Sequence, residues 1–255
     1  TVTNTFVDGQ TASAAEVNQN FTDLATKVNA IVRKDDPLFN TATGAFAINP
    51  NITTTGTNAT ANGYDALYNL TTGSNNTAVG FEALRANTGG NHNTASGSQA
   101  LLSNIGGNFN TASGYQALFE NTEGSTNTAS GAKALYNNDT GNFNTASGYE
   151  ALRDNTTGIQ NTASGYQALA NNTSGGDNTA IGYKALANNI DGNQNTAYGR
   201  GALYNNTGSF NTAIGNEALY RNDTGSKNTA IGYFATVATS NLDNATAIGY
   251  RAEVS

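Results

Sequence analysis

The 255-residue chain carries only 11% charged residues, a formal net charge of -7, 29 glycines and no cysteine. Its 11 Lys and Arg are scattered singly and form no basic stripe, which argues against a nucleic-acid partner. The lack of Cys excludes disulfides and thiolate metal sites, and no apolar run approaches the roughly 18–20 residues of a membrane-crossing helix, so no membrane insertion by this segment is expected.

A weakly charged chain of small polar residues reads as disordered unless a strict period lets each weak unit stack on an identical neighbour. The sequence starts at Thr1 and contains no Met, which reads as a mature chain whose leader has been removed. In chain order, residues 1–12 alternate Val2, Asn4 and Phe6 with Thr before Asp8-Gly9, the pattern of a short strand and a turn. Ser13 with Glu16 forms a capping box, and Ala14, Val17, Phe21, Leu24, Val28 and Ile31 follow at helical spacing. This narrow stripe predicts a coiled-coil seam between chains or, alternatively, a helix capping its own solenoid. Residues 1–32 thus read as a strand-plus-helix unit for trimerisation or docking. Residues 33–57 hold Pro37 and Pro50 and read as a connector with one strand at Ala45–Ile48.

Residues 58–255 repeat. The register is set by Thr60, Thr77, Thr94, Thr111, Thr128, Thr145, Thr162, Thr179, Thr196, Thr212, Thr229 and Thr246, every step being 17 residues except the 16 between Thr196 and Thr212. Each Thr is followed by Ala one residue on, Gly three on and Ala six on, and in ten of twelve copies by Leu seven on. A 17-residue unit is too short for a helical hairpin or a propeller blade and predicts an all-β fold, a parallel β-solenoid of two short strands and two turns per rung. The first Gly fits a position of positive φ or crowded backbone. The second, from Gly73 to Gly225, serves the opposite turn, and the Asn recurring from Asn87 to Asn222 is placed to form amide ladders along the rod.

The adjacent Ala-Leu pair bears on assembly, because neighbours in a strand face opposite ways. With Ala inside, Leu67, Leu84, Leu101, Leu118, Leu135, Leu152, Leu169, Leu186, Leu203 and Leu219 form an apolar stripe on the monomer surface, which partner chains would bury. The alternative is a bulge that turns both residues into the core. The first reading predicts a homotrimer.

Units such as NTAIGYKAL, NTAIGNEAL and NATAIGYRA resemble the head repeats of trimeric autotransporter adhesins of the YadA-like type. They are also similar to NTAxGYxAL arrays of phage tail fibres and of surface proteins with an endosialidase-type chaperone, and NTFVDGQTASAAEVNQNFTDL resembles the N-terminal segment of such fibres. The resemblance covers residues 58–255 and, more loosely, 4–32. It implies a left-handed β-roll, three chains about one axis, an extracellular, cell-surface or virion-tail location and an adhesive or fibrous role. The adhesin head repeat is shorter than this one, and neither a membrane-anchor barrel nor a self-cleaving chaperone is visible in the sequence.

Nothing in the sequence singles out catalysis. His92 is the only histidine and stands at a variable turn position, so no Ser/His/Asp set and no metal cluster can be assembled, and no cofactor is expected. Glu82, Glu120, Glu150 and Glu217 fall at variable positions. Thr-Ala-Ser in five rungs, from Thr94–Ser96 to Thr162–Ser164, offers two hydroxyl rows, interrupted by Ile181, Tyr198 and Ile214. Asn155-Thr156-Thr157 and Asn205-Asn206-Thr207 are glycosylation sequons of the kind this composition produces by chance. Two functions follow: a fibre that assembles head-to-tail through residues 1–32, or an adhesin or tail fibre whose rod is a spacer. In the second, variable residues such as Arg85, Lys133 and Arg200 would contact a host glycan or surface protein.

Overall fold

A computed structural model describes residues 40–44, 47–49 and 54–255. The expected helix over Ala14 to Ile31 lies outside them. Thirteen three-residue strands, from Thr41–Thr43 to Thr246–Ile248, form one parallel sheet whose spatial order follows the chain. Every pairing is in register, Thr on Thr and Ala on Ala, as in Thr94↔Thr111 and Ala95↔Ala112. At about 4.8 Å per rung the sheet is roughly 57 Å long.

The solenoid begins before Asn58. Thr41–Thr43 pairs with Thr60–Asn62, and Ala42, Gly44 and Ala47 stand one, three and six residues after Thr41 as in every later rung, with Ile48 seven after it where ten later rungs carry Leu. The 19-residue step to Thr60 and the Leu-to-Ile replacement hide this rung from a 17-residue register. The strand expected at Ala45–Ile48 is not formed where it can be seen, since Ala47 and Ile48 lie in a bend packed into the core.

Each rung has one short strand instead of the expected two. In each strand the central Ala points inward, with Thr and the third residue outward. Gly then turns the chain with φ near +135°, as at Gly114 and Gly215. A Cβ at Gly148 would stand 2.6 Å from the carbonyl oxygen of Gly165, so stacking alone requires glycine in this column. The return side is a run of turns closed by bonds between rungs, for example Glu82 N–H to Tyr64 O at 2.8 Å and Leu84 N–H to Ala100 O at 3.0 Å. Only Thr236–Val237 and Glu253–Val254 add a second parallel pair on the far side.

The Leu row corrects the sequence expectation. Leu67, Leu84, Leu101, Leu118, Leu135, Leu152, Leu169, Leu186, Leu203 and Leu219 are all 0% exposed within a single chain. The Ala-Leu pair is not in a strand: Leu152 has φ +52° and Glu150, two residues earlier, φ +53°. Left-handed residues at alternate positions abolish the two-faced alternation, so Ala151 and Leu152 both point inward. The left-handed backbone costs about 1–2 kcal/mol per residue. Two such residues cost about 2–4 kcal/mol per rung; full burial of the leucine returns about 1.5–3 kcal/mol, and the bond from its own N–H to the next rung, Leu152 to Ala168 O at 3.0 Å, contributes further.

Candidate functional site

The interior is part aliphatic and part amide. Nine asparagines from Asn87 to Asn222 form the expected ladder, Asn104 Nδ2 donating to Asn87 Oδ1 at 2.7 Å and Asn155 Nδ2 to Asn138 Oδ1 at 2.8 Å. Each amide also donates to the glycine carbonyl that closes its turn, as Asn121 does to Gly124 at 2.9 Å.

A second ladder, which sequence reasoning missed, uses the Asn before the register Thr. Asn93 Oδ1 accepts the backbone N–H of Asn110 at 2.9 Å, and Asn93 Nδ2 donates to Gly107 O at 2.8 Å. The pattern runs to Ala245, whose N–H donates to Asn228 Oδ1. The signal was present in the repeated Asn-Thr-Ala, whose Asn precedes the register Thr in ten of the twelve rungs. These buried amides thus find their partners within the ladders, the condition under which a polar core is tolerated.

The side chains open to a partner lie outside, in columns along the rod. Four residues after the register Thr stand Tyr149, Tyr166 and Tyr183, stacked at 5.4 and 5.3 Å between ring centroids. Eight residues after it Phe119 stacks on Tyr136 at 5.0 Å and Tyr204 on Tyr220 at 5.1 Å. His92, expected to be an incidental loop residue, lies flat on Phe109 at 4.9 Å. Recurrence of Tyr and Phe at fixed offsets was the readable signal for these stacks.

The residues expected to carry specificity are not brought together. Arg85 pairs with Asp65 at 3.4 Å and lies over Tyr68, Lys133 lies over Tyr136, and Arg200 lies over Tyr183 and 3.3 Å from Glu217. Glu82 and Glu150 accept from Gln99 and Gln167 of the following rungs. Burial works against the Glu150 charge. Hydrogen bonds from Gln167 and Tyr149, with the Arg153 guanidinium, outweigh it and hold the carboxyl below its usual range. Among the described residues no group of three His, Asp or Glu side chains is placed to hold a metal ion. Also among them, no helix is long and apolar enough to cross a membrane.

The fold defines the chain as a parallel β-solenoid built of tandem repeats. Comparison with protein-family models, with curated proteins and with solved structures returned no match to this chain.

Proposed function

We propose that the chain is a structural, extracellular fibre protein whose rods associate as homotrimers and join head-to-tail into surface or matrix filaments with an adhesive role. The observation that carries this reading is the unbroken thirteen-strand ladder, a continuous stack whose buried core amides bond from rung to rung. Trimer formation, no longer supported by the leucines, rests on the outer row two residues after the register Thr. There Tyr198, Ile214 and Ile248 are 57%, 41% and 66% exposed. A left-handed winding and kinship to YadA-like head repeats belong to the same proposal, through the NTAxGYxAL motif, and residues 1–32 are assigned the docking role.

Electron microscopy of the purified full chain tests the reading. Filaments many rod lengths long are expected, and deletion of residues 1–32 should leave single trimeric rods. Wild-type protein seen only as isolated rods overturns the filament proposal.

A second reading, a receptor-binding adhesin or tail fibre with the rod as spacer, is favoured by one local feature. Around Gly201 three outer columns change together and a hollow opens between them.

A further inference from the structure

Three columns change together at the Thr196 rung. The tyrosine stack Tyr149, Tyr166, Tyr183 ends, and the next residue in that column is Arg200. Eight residues after the register Thr, the small Ala170 and Ala187 give way to the Tyr204–Tyr220 stack. Between these columns, where the adjacent rungs carry Lys184 and Glu217, this rung has Gly201, at φ +62°. The missing side chain leaves a cavity of about 220 Å³, floored by Gly201 and walled by Tyr183, Tyr204 and Tyr220. It adjoins a second hollow of about 350 Å³ that shares Glu217 and Tyr220 and adds Arg221 and Phe234. Together they fall within the roughly 300–1,000 Å³ typical of small-ligand clefts.

We propose that this cavity binds a glycan through a carboxylated sugar unit. Lys184 and Arg200 face the cavity with one carboxylate, Glu217, between the rungs, and Arg221 adds a third cation beside it. On a chain of net charge -7 this is a local excess of positive charge. It suits an isolated carboxylate, while the overall negative charge repels a long polyanion. The ligand carboxylate takes charge-assisted hydrogen bonds from Lys184 and from Arg200, which exchanges its exposed pairing with Glu217 for the ligand. Glu217, released, accepts from sugar hydroxyls. The apolar C–H face of the pyranose lies on Tyr204, whose counterpart one rung earlier is Ala187, so no ring stacks there.

The probes are 3′-sialyllactose and a glucuronate-terminated disaccharide, which separate two sources of the same carboxylate chemistry, with lactose as the neutral control. Isothermal titration of the full chain is expected to show at least one acidic probe binding tenfold or more tighter than lactose, and more weakly as salt rises. Gly201→Gln inserts a side chain that Gln167 already carries at the same position with φ +51°, and should cut binding at least tenfold with an unchanged circular dichroism spectrum. Arg200→Asn, which places there the residue found at Asn216, provides a second reading without touching the backbone and should lose tenfold as well. Equal binding of lactose and both acidic probes, no binding of either, or wild-type affinity in both variants overturns the site. Filament formation is scored separately by microscopy, so the two proposals fail independently.

Discussion

Asn138 shows how a single side chain is committed in this rod. Its Oδ1 accepts from Asn155 at 2.8 Å and Asn144 at 3.4 Å, while its Nδ2 donates to Asn121 at 2.7 Å and Gly141 at 3.0 Å. Asn87, at the end of the same ladder, keeps only the bond from Asn104 and its own donation to Gly90, and the column continues below it as Leu70. Leucine is therefore compatible with the end of the ladder and not with its middle. Asn138→Leu strands the Asn121 oxygen and removes three further bonds, whose partners Asn155, Asn144 and Gly141 keep one other each, a loss of about 2–4 kcal/mol at 1–3 kcal/mol per unsatisfied group. Asn87→Leu should cost about half as much. Urea denaturation midpoints of the two variants check this, and equal midpoints would remove the ladder from the account of stability.

At the scale of the element, the rung tolerates change only where its turn is open. The 16-residue step loses one residue between Asn206 and Gly208, so Asn206 reaches a carbonyl two residues away at 2.7 Å and its bond to Asn189 stretches to 3.4 Å. The strand register at Thr196↔Thr212 is untouched. Stacked repeats interact with their neighbours alone, so a whole rung is removable. Excising residues 128–144 joins Asn127 to Thr145 and preserves Asn-Thr-Ala-Ser across the cut. The shortened protein is expected to keep its circular dichroism spectrum and melt cooperatively a few degrees lower, whereas deleting Ala129 alone should unfold the adjoining rungs. Equal behaviour of the two deletions counts against rung modularity.

The same scale shows what the sequence made legible. The period, the inward Ala, the Gly columns and the Asn87–Asn222 ladder follow from which residue types repeat. The leucine orientation did not, because it depends on left-handed backbone at residues such as Gln116 and Leu118, types that do not advertise that conformation. The inference from a strand's two-faced alternation failed for want of a strand. The Gly201 cavity was hidden for a related reason: an extra glycine in a glycine-rich chain carries no signal until the columns on either side of it are known.

For the whole molecule, the proposed association rests on a change of surface along the rod. Two residues after the register Thr, five central rungs present Ser96, Ser113, Ser130, Ser147 and Ser164, and the rungs after them present Ile181, Tyr198, Ile214, Ile231 and Ile248. Tyr233 and Tyr250 stack at 5.3 Å in the column two residues further along the chain and extend this apolar face. A rod in water gains by covering it, and at about 25 cal/mol per Å² even a few hundred Å² per chain weighs more than scattered ion pairs such as Arg200–Glu217. Sedimentation of the full chain is accordingly expected to give a trimer that persists in high salt. Replacing Ile214, Ile231 and Ile248 by Ser, which carries the central surface into these rungs, should yield monomers with an unchanged circular dichroism spectrum. Ser113→Thr with Ser130→Thr should leave the trimer intact. A monomeric wild-type protein, or a triple variant that still sediments as a trimer, would show that this row is not the contact between chains.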